Sequence, residues 1–159
     1  MDINAEIVKS EPALRKSTRA AFENLTFSTI ENEDAYEQPF SEKRNIRKYK
    51  SSLEILLTEW KKKYYAELII SEIHILELLD ALAPEQSRRH GESAKKDLMG
   101  ELLNTIIGTY LLQIEPVVKH FIISVPQATV LSDSHRPPLL RHRYIVDDKY
   151  PIEITLIEG

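Results

Sequence analysis

Two apolar rows run side by side along one stretch of this chain. Leu98, Leu102, Ile106, Tyr110 and Ile114 recur every four residues, and Met99, Leu103, Ile107 and Leu111 form the adjacent row. Residues four apart stack on one face of an α-helix, so two adjoining rows make a wide apolar face that belongs at the centre of a domain. Ser93 or Glu92 opens this helix, Pro116 ends or bends it, and Gly100 and Gly108 would let a neighbouring backbone approach. Directly after Glu115-Pro116 the pattern changes to that of a strand. In a period of two, Phe121, Ile123 and Val125 share one face and His120, Ile122 and Ser124 the other. That predicts a mostly buried strand.

Upstream, Ser41 can act as an N-cap, and Ile46, Tyr49, Leu53, Leu56, Leu57, Trp60, Tyr64 and Leu68 recur at spacings of three and four. The stripe continues through Ile69, Ile73, Leu76 and Leu79 to Leu82, and Pro84 stops it. This predicts a second long helical segment, either one straight rod or one kinked or divided into two helices near Lys61-Lys62-Lys63, where the stripe shifts its phase. Residues 1–40 read as a polar N-terminal arm with a short helix from Glu11 to Leu25, where Pro12 suits the first turn. The stretch from Pro126 to Pro138 is a turn-rich loop and a plausible contact surface.

Downstream, Leu139 to Val146 reads as a strand and Asp147-Asp148-Lys149 as a turn. Ile152, Ile154 and Leu156 then alternate with polar residues, so the two strands pair as a hairpin. The fold class is α+β: two long helical segments packed on a small C-terminal antiparallel sheet. Residues 41–159 form one domain, helical over 41–115 and β-rich over 117–158. The final strand is expected to leave an edge free, which can accept a partner's strand. Ile152, Ile154 and Leu156, with Arg141 and Arg143 pointing the same way on the preceding strand, are therefore the partner-binding candidates.

Composition narrows the function classes. The chain has 159 residues, of which 42% are hydrophobic and 29% charged, which fits a globular domain. No apolar run approaches the roughly 20 residues that span a bilayer, and the N-terminus lacks a leader pattern, so a cytoplasmic protein without a membrane span is expected. The absence of cysteine excludes disulfides, thiolate metal sites and cysteine nucleophiles. A net charge of −4 does not favour nucleic acid. Lys43, Arg44, Arg47, Lys48, Lys50 and Lys61 to Lys63 read as the solvent face of the long helix.

Catalytic chemistry finds little support. His74, His90, His120, His135 and His142 form no ligand array, and the pairs Glu72/Glu77 and Glu54/Glu59 do not share a helix face. Arg88-Arg89-His90 and His135-Arg136, with Arg141-His142-Arg143, could form an anion-binding surface, but arginines on an exposed strand face more often serve solubility and edge protection, and no glycine-rich phosphate loop is present. No cofactor, metal or catalytic residue is expected. The chain reads as a non-enzymatic assembly subunit whose partners are other protein subunits.

From Leu102 to Glu158 the order of features resembles the baseplate-wedge family of contractile injection systems, which includes the type VI secretion protein TssE. That family carries a helix ending in Glu-Pro-Arg, then a strand and a hairpin. Here Ile114-Glu115-Pro116 precedes Val117, and Phe121 to Pro126 and the terminal pair Leu140 to Val146 and Pro151 to Ile157 follow in that order. Ser52 to Thr58 is similar to the family's earlier helix. The resemblance implies a structural subunit at a sheath base that accepts a sheath strand, with Glu115 in an internal ion pair and Pro116 at the corner; Val117 replaces the signature arginine. Trp60, Glu67-Leu68 and Leu111 to Glu115 are also similar to helical subunits of the GINS replication complex, which implies a replication scaffold. A third reading is an immunity-type protein that binds a basic toxin through Glu31 to Glu37.

Overall fold

The computed structural model describes residues 2–32, 45–82, 87–131 and 137–159. Its elements, in order, are α1 (Ile3–Lys9), α2 (Glu11–Thr26), β1 (Ile30–Asn32), β2 (Lys48–Leu57), β3 (Lys62–Ser71), α3 (Glu72–Leu82), α4 (Ser87–Gln113), β4 (Phe121–Ile123), β5 (Gln127–Val130), β6 (Leu140–Val146) and β7 (Tyr150–Glu158). The fold is α+β, and its sheet is far from small. Seven antiparallel strands run in the order β1-β6-β7-β3-β2-β4, with β5 also on β2.

The largest difference from the sequence expectation lies in residues 48–71, which form a β-hairpin rather than a helix. Lys48 pairs with Ser71 and Leu57 with Lys62. Its core face is Tyr49, Ser51, Leu53, Ile55 and Leu57, opposite Tyr64, Ala66, Leu68 and Ile70. The error has a physical cause. A spacing of four is compatible with both a helical turn and two strand alternations, and Ser51 and Leu56 blur the period of two that decides between them. The phase shift near Lys61 is the hairpin turn, where Lys61 takes a positive φ of 53°. Among the described residues of the expected segment, only α3 at its end is helical.

Register carries the core face across the sheet. Ile70 lies opposite Ile152, Leu68 opposite Ile154 and Ala66 opposite Leu156; β6 then sets Tyr144 against Ile152 and Leu140 against Leu156. The β6–β7 turn places Asp147 and Asp148 at φ 52° and 55°, the handedness that matches strand twist in tight hairpins. On the opposite face Lys50 meets Glu67 at 2.9 Å and Lys63 meets Glu54 at 3.4 Å; at the end of the core face Lys62 reaches Glu158 at 3.0 Å. Of the basic residues expected on a helix surface, Lys50, Lys62 and Lys63 lie along the hairpin and are ion-paired, and Arg47 pairs with Glu72 just before it.

Helix α4 lies on β2, β3 and β5 and packs against α2. Both of its apolar rows are buried, with Met99, Leu102, Leu103, Ile106 and Ile107 at 0% exposure. The N-terminal residues are part of this core rather than a polar arm: Ile3, Ile7, Leu14 and Phe22 are buried. Polar ties hold them there, with Ser10 Oγ 2.6 Å from the Tyr110 hydroxyl, the Tyr64 hydroxyl donating to Asn4 Oδ1 at 2.6 Å, and Gln113 donating to Ser17 at 2.8 Å. Among the described residues no helix is long and apolar enough to cross a membrane.

Candidate functional site

The outer flank of α4 holds the candidate site. Asp97, Glu101, Asn104, Gly108 and Leu112 follow one another at steps of four, three, four and four, and so share a face opposite the buried rows. Asp97, Glu101 and Asn104 are exposed, and Leu112 is 63% exposed. Among the described residues neither Glu101 nor Asn104 has a hydrogen-bond or ion-pair partner. A Cβ added at Gly108 would meet nothing within 4 Å, so the helix backbone is bare in the middle of this stripe. Gly100, on the flank, is in contact with Pro126: its added Cβ would lie 3.6 Å from Pro126 Cβ. The bulge between β4 and β5 therefore borders the stripe, and it presents Val125 at 82% exposure.

The sequence sets this stripe through the core behind it. Leu102, Leu103, Ile106 and Ile107 fix the rotation of α4, leaving Glu101 and Asn104 no inward alternative. The start of the helix is fixed separately. Gly91 breaks the helical path with φ 49° and ψ −131°, a conformation open essentially only to glycine. Directly after it, Glu92 accepts a hydrogen bond from the Tyr49 hydroxyl at 2.7 Å, and Lys95 bridges Glu92 and Glu72 at 3.0 and 3.3 Å. Arg47 also reaches Glu72, at 3.3 Å, and stacks over the Tyr49 ring at 5.6 Å. Burial and then the hydrogen bonds that the Tyr49 hydroxyl donates to Glu92 and Glu72 raise its pKa. The Glu92 carboxyl is held below its usual range by the Tyr49 hydroxyl and then by Lys95. Burial alone would lower the Lys95 ammonium, but its bonds to Glu92 and Glu72 raise it on balance.

The residues proposed from sequence do not assemble into this site. Ile152, Ile154 and Leu156 are buried on β7, which is paired on both sides by β6 and β3 and so offers no free edge. Last in sequence is not last in the sheet, because the β2–β3 hairpin, unseen from the periodicity, covers the edge expected to be open. Arg141 and Arg143 share the far face of β6, and Arg141 Nε lies 3.4 Å from the buried Glu153 carboxylate. Glu115 and Pro116 are exposed in the turn that ends α4, where Val117 and Val118 both donate to the Ile114 carbonyl at 2.9 Å. Among the described residues Glu115 makes no ion pair.

The other expected features also move. The strand after Pro116 is an edge strand, with Ile122 59% exposed, and not a buried one. His74 is buried, stacked 4.6 Å from Tyr150 and 6.5 Å from Phe22, and burial lowers its pKa to about 4. His142 is buried 3.8 Å from Glu11, and His120 is exposed 3.6 Å from Glu59. Among the described residues no three His, Asp or Glu side chains converge as metal ligands. Residues 33–37 of the acidic run, His135-Arg136, Lys43 and Arg44 lie outside the described residues.

No protein-family model matches this chain, and no curated protein does. Its fold matches solved chemotaxis proteins. A putative chemotaxis protein from Desulfovibrio vulgaris Hildenborough superposes with a TM-score of 0.70 at 12% identity, over 95% of this chain and 97% of that one. The chemotaxis protein CheX from Vibrio vulnificus gives 0.68 at 12% identity, over 95% and 99%. A CheX chain from Borrelia burgdorferi, solved in a complex with CheY, BeF3 and Mg2+, gives 0.58 at 10% identity, over 92% and 96%. These neighbours overturn the baseplate-wedge resemblance: the order helix, strand, hairpin is shared, but the fold that carries it is another. Trp60 and Glu67-Leu68, which carried the similarity to GINS helices, belong to the β2–β3 hairpin.

Proposed function

We propose that this chain binds the phosphorylated form of a CheY-type signalling protein through the outer stripe of α4 and hydrolyses its phosphoryl group. The observation that carries this reading is the pair Glu101 and Asn104, three residues apart on a core-anchored helix, both exposed and both without a polar partner among the described residues. The fold likeness to a CheX chain solved with CheY, BeF3 and Mg2+ supports it. BeF3 has the charge and tetrahedral shape of a phosphoryl group bound to a side-chain oxygen.

The chemistry available at the pair suits that partner. A carboxamide offers an acceptor and two donors, so Asn104 can accept a hydrogen bond from a water while donating to a phosphoryl oxygen. That places the water in line with the bond to be broken, and positioning is most of what catalysis of phosphoryl transfer requires. Water attacks phosphorus, the bond from phosphorus to the partner's side-chain oxygen breaks, and the product is inorganic phosphate that retains the water's oxygen. The Mg2+ belongs to the partner. Glu101 suits a lysine or arginine of the partner and so fixes the register of docking. Bare backbone at Gly108 and the exposed Leu112 supply the close approach and apolar contact that flank the pair.

The protein-binding role expected from the sequence is kept in this reading, with hydrolysis added to it, and a cytoplasmic location goes with such a partner. Titration calorimetry tests the docking. Phosphoryl-mimicked CheY-type protein, carrying BeF3 and Mg2+, is expected to bind more tightly than the free form, and Glu101→Lys is expected to abolish the difference. Equal affinity for both forms would contradict the reading.

A further inference from the structure

Helix α3 is apolar on more than one side. Ile75 and Leu78 face the core, while Ile73 and Leu76 are 61% and 38% exposed. Leu79 and Leu82 form one wall of a groove whose other wall is α4, through Ala94, Asp97, Leu98 and Glu101. The groove holds about 320 Å3 and is open to solvent. Its lining is split: leucines and an alanine on the inside, carboxylates along the α4 rim.

Among the described residues the charge of that rim is unmatched. Elsewhere on the same two helices the carboxylates have cations, Glu77 with Lys149 at 2.9 Å and Glu72 and Glu92 with Lys95 at 3.3 and 3.0 Å. Asp97 and Glu101, one turn apart, have none among the described residues. An apolar trough with an uncompensated acidic rim is complementary to a helix that is apolar on one face and basic beside it. We propose that the α3–α4 groove seats a basic amphipathic helix of a partner protein. Its aliphatic side chains pack on Leu79, Leu82 and Leu98, and its lysines or arginines meet Asp97 and Glu101. Binding here does not require a phosphoryl group; Glu101 borders both sites, but Leu82 and Ala94 line only the groove and Asn104 does not line it, so variants at these residues separate the two.

The probe is a fluorescent synthetic helix with leucines on one face and lysines on the other, titrated against the whole chain by anisotropy. It is expected to bind in the micromolar range, to weaken with salt, and to lose about tenfold or more in affinity on Leu82→Lys or Ala94→Lys. Amide shifts in the unmutated protein are expected to centre on Leu79, Ala94 and Leu98, which keeps the test valid if a variant folds poorly. Equal binding of a peptide with glutamate for each lysine would overturn the proposal, as would shifts elsewhere on the surface. A dimer of the unmutated chain that Leu82→Lys dissociates would assign the groove to a second copy instead. Binding that appears only after residues 33–44 are deleted would assign it to the chain's own segment. Phosphate release from the phosphorylated CheY-type protein, followed in parallel on Asn104→Ala, reports on the phosphoryl site through a residue that does not line the groove.

Discussion

The Tyr49 hydroxyl lies 2.7 Å from the Glu92 carboxylate, and this bond joins strand β2 to the first turn of α4 beyond the break at Gly91. Tyr49 is fully buried, so its hydroxyl has no water to fall back on. With Lys95 and Glu72 it fixes where α4 begins, and therefore where Asp97, Glu101 and Asn104 face.

Tyr49→Phe is expected to destabilise the fold by about 1 kcal/mol, the net worth of a typical intramolecular hydrogen bond. Urea denaturation measures it. Hydrogen exchange is expected to speed up in the first turns of α4 more than in residues 102–111. The Glu92 carboxyl is depressed in the folded state, so its contribution is present above its unfolded pKa and is lost as pH falls through the lower folded value. Tyr49→Phe is expected to shrink that acid-side loss.

His74 gives a second pH dependence. Burial lowers its pKa from 6.5 to about 4, and neither ring nitrogen has a hydrogen-bond partner among the described residues. The folded state thus binds its proton less readily than the unfolded chain. Stability is full above about pH 6.5 and falls as pH drops towards 4, by about 3 kcal/mol in all. The groups that face it, Asp147 and Glu77, pull the other way and are outweighed. His74→Phe, which keeps an aromatic ring between Phe22 and Tyr150, is expected to flatten the stability curve between pH 4 and 6.5. An unchanged slope would show that His74 does not titrate with folding.

Gly108 separates stability from docking. The space around it is open and its helix is regular, so Gly108→Ala is expected to raise stability by up to about 1 kcal/mol through helix propensity. A larger side chain there, as in Gly108→Gln, is expected to be tolerated by the fold and to weaken partner binding. Thermal melts and calorimetry of the two variants check both parts.

Much of the fold was legible because some residues satisfy only one period. Leu98, Leu102, Ile106 and Tyr110 with Met99, Leu103, Ile107 and Leu111 make a two-row face that no strand reproduces, and Ile152, Ile154 and Leu156 alternate as no helix does. Tyr49, Leu53 and Leu57, spaced by four, satisfy both, and the choice was made by pairing with β3 rather than by local preference. That one ambiguity misplaced the sheet edge and with it the binding residues. The site itself was harder to see. Asp97, Glu101 and Asn104 are what any solvent face carries; the available signal was their 4, 3 spacing in line with Gly108, opposite a face already recognised as core.

The central claim is that Asn104 directs water onto a partner's phosphoryl group, and phosphate release tests it most directly. Phosphorylated CheY-type protein is mixed with catalytic amounts of this chain, and free phosphate is followed in time. The unmodified chain is expected to accelerate release over the partner's own rate. Asn104→Ala is expected to remove the acceleration by about 100-fold or more while binding to the BeF3- and Mg2+-loaded partner persists. Release at the partner's own rate with the unmodified chain, or undiminished acceleration by Asn104→Ala, would contradict the account.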